Sequence, residues 1–380
     1  MVLKKLIQGS KFDRFFRLML NFLAPSYYNA TKKIKFSEKT NFVFICYGGL
    51  GDSIMTFPFL IELSTKYPVT VFIDNNLKAT RHLLNKNIVI KNYIKKDIFN
   101  ELKKFQALNS NFILIQQSPI MEFIFFHFSL KRPPTIGFIY AQNIINTAGI
   151  NIENKKNTSL NKINKYNDLL KVILSIENKA INKFYYSLVE NQFKKLHYKD
   201  IPQNQYYILS ATKNYNWKMG FLDFEIYAKL IIKMYEEINL IPVIVGTNLD
   251  NIIINKILKY IPKKIKIKNL TGETDIKDLI PLINNAKFII ANDNGIHHLS
   301  NFLNARTLTL YNFSAFEVYN WPNKNSEYIF NPIFKCMPCI GMETGPFDNH
   351  PFKCPWDVRC KNTISENDII KKLGVLSWIN

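Results

Sequence analysis

The chain is short of acid. It carries 29 Asp and Glu against 50 Lys and Arg, a formal net charge of +21 over 380 residues. Such a surplus favours anionic partners such as nucleotide phosphates, nucleic acid or acidic lipid surfaces, and much of it serves to solvate the surface. Long apolar runs are lacking too. No stretch reaches the roughly 18 apolar residues of a membrane-spanning helix. Phe15–Leu23 is interrupted by Arg17 and Asn21, so the start does not read as a signal peptide. Only 5 cysteines occur, too few for a disulfide scaffold, and a cytoplasmic protein is expected. No Asp-x-Asp triplet is present to hold a metal–nucleotide complex. No RRM, KH or helix-turn-helix pattern occurs, so nucleic acid is not the expected partner. Neither a solenoid repeat nor a heptad array is found.

What is present is enough apolar residue, 47%, to fill two ordinary cores. Residues 1–40 form a basic amphipathic segment. Leu3, Leu6, Ile7, Phe12, Phe15, Phe16, Met19, Leu20 and Leu23 alternate there with Lys4, Lys5, Lys11, Arg14 and Arg17. Such a helix can lie on an anionic leaflet or pack on its own domain.

Beyond it, apolar strands recur with helical stretches between them. Phe42–Cys46, Val69–Ile73, Ile88–Ile90, Phe112–Ile115 and Thr135–Phe138 read as one series of strands, with helices from Ser53 to Lys66 and at Tyr166–Ile176. After a linker at Tyr198–Gln205, Tyr206–Leu209, Ile241–Val245, Phe288–Ala291 and Thr307–Tyr311 read as a second. Helical spacing appears at Phe224–Ile238, Leu249–Lys259 and Ile276–Asn285. The alternation predicts two α/β domains with parallel sheets, 41–200 and 201–355, and a closing helix over 356–380. Ligands of such sheets bind at the carboxyl ends of the strands.

Two strand ends carry chemistry. The first is Gly48-Gly49-Leu50-Gly51-Asp52, ahead of a helix. Its glycines do not match the spacing of a dinucleotide fingerprint, and no Lys-Ser/Thr follows as in a P-loop. A carboxylate at a helix start is favoured by the dipole and repels phosphate. Asp52 therefore reads either as a general base or as a helix cap. The second is Asn292-Asp293-Asn294-Gly295, followed by His297 and His298. It suits a nucleotide diphosphate, with an Asx-turn capping a helix as the plainer reading. Asp293 with the two histidines could also be read as a metal site, but no further ligand has convincing spacing, and without an Asp-x-Asp triplet a metal-free reaction is expected. Asp74, after the second strand, keeps a nicotinamide-dependent oxidoreductase open. A non-enzymatic, anion-binding scaffold is a further alternative.

Together these stretches resemble glycosyltransferase family 9, the heptosyltransferases. Gly49-Leu50-Gly51-Asp52 with Pro58 resembles that family's G-x-G-D start. Asp293-Asn294-Gly295-Ile296-His297-His298 resembles its D-T-G-x-x-H motif, with Asn294 for threonine. Asn269-Leu270-Thr271-Gly272 fits its N-L-x-G stretch. The resemblance implies a GT-B fold, two Rossmann-like domains with parallel sheets facing a central cleft. It implies an inverting, metal-independent transfer of heptose from ADP-heptose, with no cofactor, to lipopolysaccharide or a lipid A–Kdo acceptor. Another nucleotide sugar remains an alternative donor. Asp52 would be the base, and Gly48, Gly49 and Gly51 would clear space for the acceptor sugar. Asp293, Asn294, Gly295 and His298 would hold the donor's diphosphate. Trp217 fits the family, but Tyr215 stands where it has a lysine, so Lys213 or Lys218 would substitute. Ser210 and Thr212 fall near the phosphates, and Asp250 near the ribose. Lys131 and Arg132 would hold acceptor anions, or simply lead into Pro133-Pro134. A monomer is expected, in contact with the cytoplasmic face of the inner membrane.

Cys336, Cys339, Cys354 and Cys360 remain. They read as a structural zinc site, as free thiols or as a redox pair.

Overall fold

The computed structural model describes residues 36–46, 48–94, 108, 112–115, 135–139, 148–151, 161–174, 201–202, 204–212, 221–339, 354 and 358–379. Residues 1–35 of the basic N-terminal segment, together with Lys131, Arg132, Lys213, Tyr215, Trp217 and Lys218, lie outside the described residues. The chain divides into two compact units, residues 1–181 and 182–380.

The first unit is built on six strands: β1 (Asn41–Cys46), β2 (Val69–Asp74), β3 (Val89–Tyr93), β4 (Phe112–Ile115), β5 (Thr135–Ile139) and β6 (Ala148–Asn151). They pair in the order 3-2-1-4-5-6, every pairing parallel. The centre of the sheet is continuous apolar sequence because helices cover both faces of a parallel sheet. Phe42, Val43, Phe44, Ile45 and Cys46 are accordingly all buried, and burial pushes the Cys46 thiol up to about 12. That cysteine is core.

The expected helix over Ser53–Lys66 is two helices. α1 spans Leu50–Ile54 and α2 spans Phe57–Leu63. The break has a local cause. Pro58 has no N–H to continue the ladder, and the Thr56 hydroxyl donates back to the Ser53 carbonyl at 2.7 Å. The next helix, α3 (Lys162–Leu174), starts at Asn161, whose Oδ1 accepts from the amides of Ile163 and Asn164. Leu169, Leu170 and Ile173 bury its inner face, and Tyr166 packs its ring on Phe44 and Phe59. This docking fixes where the start of α3 lies.

The second unit repeats the plan. Its strands are β7 (Tyr206–Ser210), β8 (Ile241–Ile244), β9 (Lys268–Asn269), β10 (Ile289–Asn292), β11 (Thr307–Tyr311) and β12 (Ser326–Phe330). Their order, 12-11-10-7-8-9, is the first sheet's order read from the other edge, again wholly parallel. Each unit is thus a doubly wound, Rossmann-like sheet with a reversal of strand order beside its first strand. The helices are α4 (Phe224–Ile238), α5 (Asn251–Leu258), α6 (Ile276–Asn285), α7 (Gly295–Phe302), α8 (Phe316–Tyr319) and α9 (Glu366–Val375). α4 ends on Asn239 in the left-handed region, φ 55°, a conformation asparagine tolerates at a helix end.

The C-terminal helix belongs to this second unit. Ile369, Leu373 and Trp378 join the core that contains Met234 and Phe288, and the Trp378 ring stacks on Phe288 at 6.4 Å. Among the described residues, no helix is long and apolar enough to cross a membrane.

Candidate active site

The described site residues fall into two groups, one on each unit. On the first, Asp52 follows β1, beside the point where the strand order reverses. It occupies the third position of α1. Its Oδ2 accepts the Gly49 N–H at 3.2 Å, which ties down the helix start. Its Oδ1 accepts from Lys162 Nζ at 2.6 Å. The pair is partly open to water, with Lys162 25% and Asp52 44% exposed. Asp52 is therefore both a helix-start residue and an oriented carboxylate at a strand's carboxyl end. Nothing local in the sequence points to Lys162, 110 residues further on.

The glycines differ in what stands beside them. A Cβ built on Gly48 would overlap the Asp52 side chain. Gly48 thus clears space for Asp52. A Cβ on Gly49 would meet nothing within 4 Å. Gly51 lies within α1, its carbonyl accepting from the Met55 amide.

The second unit carries the same device after β8. Asp250 Oδ2 accepts from the Thr247 amide at 2.7 Å and its hydroxyl at 2.8 Å, and a Cβ on Gly246 would lie 3.0 Å from that oxygen. Asp250 is buried, and its Oδ1 has no hydrogen-bond partner among the described residues. Gly272, closing the Asn269-Leu270-Thr271-Gly272 stretch, is left-handed at φ +81°. Its amide donates to the Gly246 carbonyl at 2.9 Å, and a Cβ there would strike Asn248. That motif therefore braces the β8 turn.

The centre of the second group is the end of β10. Asn294 caps α7, its Oδ1 accepting from the amides of Ile296 and His297 at 2.9 and 3.1 Å. Its Nδ2 donates to Ser210 Oγ at 2.9 Å and to the Thr212 carbonyl at 2.6 Å. One step back, Asn292 Nδ2 donates to the Ala211 carbonyl and its Oδ1 accepts from the Tyr227 hydroxyl. The carboxyl ends of β7 and β10 are thus stitched together at the switch point, where such sheets take nucleotides. Asparagine at this position has a structural role: its nitrogen reaches the end of β7 while its oxygen caps α7.

Asp293, His297 and His298 are all buried. Asp293 Oδ1 lies 3.6 Å from His297 Nδ1 and 3.5 Å from His298 Nε2. Their ligand atoms fall within 4.8 Å of one another. His297 is fully buried with its ring edge-on to Tyr311 and reads as core. His298 Nδ1 accepts from the Trp321 indole at 3.0 Å, a contact with no signal in the sequence. Gly295 opens α7.

Two further predicted features resolve locally. Asp74 Oδ1 accepts the Asn76 amide at 2.8 Å and caps a 3-10 turn. The four later cysteines are free thiols in one neighbourhood. Cys339 packs on Phe313 with Cys354 and Val358 against them. Burial, with the other three cysteines adding to it, pushes the Cys339 thiol up to about 12. Cys360 rises to about 11 by burial and then by Cys354 and Cys336. The Val358 amide donates to Cys354 Sγ at 3.3 Å. Among the described residues, no cysteine trio closes to the 4.8 Å spacing of the Asp293 cluster.

The chain matches the family described as Glycosyltransferase family 9 (heptosyltransferase) over residues 107–346. The match starts after Asp52. A lipooligosaccharide heptosyltransferase 2 from Campylobacter jejuni subsp. jejuni serotype O:6 is 33% identical over 113 residues, 30% of this chain and 34% of that relative. The aligned region is thus about a third of that relative's length. Among solved structures, a glycosyl transferase family 9 protein from Veillonella parvula aligns with TM-score 0.66 and 16% identity, over 92% of this chain and 99% of its own. The ADP-heptose lps heptosyltransferase II of E. coli gives TM-score 0.62 at 14% identity, over 88% and 98%. E. coli heptosyltransferase WaaC, solved with ADP, gives 0.64 at 12%, over 88% and 99%. These likenesses show the fold: two Rossmann-like units of the GT-B class.

Proposed function

The chain belongs to glycosyltransferase family 9, the heptosyltransferases, and on that premise we propose that it transfers heptose from ADP-heptose to the inner core of lipopolysaccharide. The observation that carries this reading is the stitched end of β7 and β10. Asn294 binds Ser210 and Thr212 while capping α7, and so fixes the start of an eight-residue helix at the switch point. The dipole of such a helix start favours a diphosphate. Asp293 and His298 flank it, and Asp250 lies after the neighbouring strand, suited to ribose hydroxyls.

In the proposed reaction Asp52 takes the proton from an acceptor hydroxyl. That oxygen attacks the anomeric carbon from the face opposite the nucleotide, the bond to ADP breaks, and the configuration inverts. Lys162 and the Gly49 amide hold the carboxylate in one orientation. A carboxylate offers about four lone-pair directions, so these two bonds orient it without using up its capacity to accept. No metal takes part. Lys213 or Lys218 neutralises the departing phosphates, and Lys131 and Arg132 hold acceptor anions. The net charge of +21 suits an acceptor rich in phosphate and acidic sugar. The enzyme acts as a monomer in the cytoplasm, with its basic N-terminal segment against the inner membrane.

Calorimetry with ADP, UDP, GDP, NADH and ADP-heptose, with and without EDTA, tests the proposal. ADP and ADP-heptose should bind selectively and be indifferent to EDTA. Transfer to heptose-deficient lipopolysaccharide should follow. A preference for UDP or GDP would replace the donor while keeping the reaction type. NADH binding alone would favour an oxidoreductase. Binding of none of these would leave a scaffold.

A further inference from the structure

We propose that Trp321 is a positioning residue that locks His298 as a hydrogen-bond donor at Nε2, directed to an oxygen of the bound nucleoside diphosphate. The inference rests on the donor site proposed above and assigns the histidine a single role within it. The indole N–H of Trp321 donates to His298 Nδ1 at 3.0 Å, both side chains being buried. Indole can only donate, so Nδ1 must be the acceptor. The proton of the neutral imidazole therefore sits on Nε2. That nitrogen faces Asp293 Oδ1 at 3.5 Å, long for a hydrogen bond. The spacing leaves a ligand oxygen able to compete for the proton.

The lock is built into the fold. His298 lies on α7, its amide bonded to the Asn294 carbonyl at 3.3 Å. Trp321 sits in the turn ahead of β12. Asn323 Nδ2 binds the Asn301 carbonyl and Asn325 Nδ2 binds the Asn304 carbonyl, at 3.3 and 2.8 Å, which bolts that turn to the far end of α7. Phe302 meets the indole edge-on at 6.3 Å. One consequence concerns metals. With Nδ1 covered by indole and Nε2 protonated, His298 offers no lone pair. The Asp293–His297–His298 cluster then lacks the third ligand that its spacing suggests. A second concerns catalysis: His298 donates, and does not act as a base.

The first test reads the unliganded wild-type protein. Long-range 15N–1H correlation on the unliganded protein, with the His298 ring signals identified by their loss in His298→Gln, should show a protonated Nε2 and a bare Nδ1. A proton on Nδ1, or an averaged pair of nitrogens, would overturn the lock. Trp321→Phe should then mix the tautomers and weaken ADP binding about 10-fold, the worth of one hydrogen bond to a charged group. In a His298→Gln background, where the amide donates without indole, the same change should cost nothing further. An equal loss in both backgrounds would make Trp321 merely structural and sink the proposal. The outcomes separate from those of the donor reading. A locked tautomer in a protein that binds no ADP would retain the Trp321–His298 relation and remove the diphosphate as its ligand.

Discussion

Lys162 Nζ stands 2.6 Å from Asp52 Oδ1, joining the first turn of α3 to the helix start after β1. Both side chains are partly exposed, so the pair adds less than about 1 kcal/mol to stability. Its effect is geometric. Asp52→Asn should leave ADP binding intact and cut turnover by about 10²-fold or more. Lys162→Met should leave the melting temperature and the donor KM nearly unchanged and lower kcat about 10-fold, because the carboxylate loses its fixed orientation. Steady-state kinetics on both variants decides. Normal kcat in Asp52→Asn removes the base, and normal kcat in Lys162→Met removes its orientation by lysine.

Gly48 gives a second, sterically defined prediction. A methyl group there must displace Asp52, since its Cβ would overlap that side chain. Gly48→Ala should therefore resemble Asp52→Asn in turnover while costing about 1–3 kcal/mol in stability, as overpacked sites do. Gly49→Ala is the control, because a Cβ there meets nothing within 4 Å. Equal turnover in the two alanine variants would show that Gly48 does not act through Asp52.

Much of this was open to inspection in the sequence, and what was not has a common physical cause. Buried parallel strands are continuous apolar runs, so β1, β2, β7, β10 and β11 stand out in one dimension. Their glycine or asparagine ends mark turns by local conformational demand. The edge strand β12 (Ser326–Phe330) carries Ser326, Glu327 and Tyr328 and gives no such run. The break between α1 and α2 lies in Pro58, which the family resemblance used as a landmark rather than as a helix breaker. Lys162 beside Asp52 and Trp321 beside His298 are tertiary contacts across 110 and 23 residues. No local pattern encodes them. Gly48 was legible as a residue needing space, but not as one making space for its own neighbour four positions on.

Asn294 separates capping from cross-linking. Asn294→Ala removes the α7 cap, worth about 0.5–2 kcal/mol, and also the bonds to Ser210 and Thr212. A total loss of about 2–3 kcal/mol is expected by denaturant unfolding. Asn294→Thr restores the cap and not the reach to β7, so it should fall between wild type and alanine. If threonine is as damaging as alanine, the cap is not what the residue supplies. If alanine costs under about 0.5 kcal/mol, neither role matters to stability.

The four cysteines make the last prediction. Cys339 and Cys360 are buried thiols whose ionisation is pushed up to about 12 and about 11. Without a cation, a thiolate there would stand in apolar surroundings beside three like groups. Zinc changes the balance, since it binds thiolates and displaces their protons. The sulfurs must close up to do so, because Zn–S bonds of about 2.3 Å need a tighter set than the described one. The protein freed of metal by chelation should therefore take up one equivalent of zinc. Uptake should release protons, raise the melting temperature and protect all four cysteines from a thiol reagent. Cys354→Ser should abolish that protection without altering ADP affinity, which belongs to the β7–β10 end. Unchanged thiol reactivity in excess zinc would leave the cluster as reduced core cysteines. A disulfide between Cys336 and Cys339 in the freshly isolated protein would make it a redox pair instead.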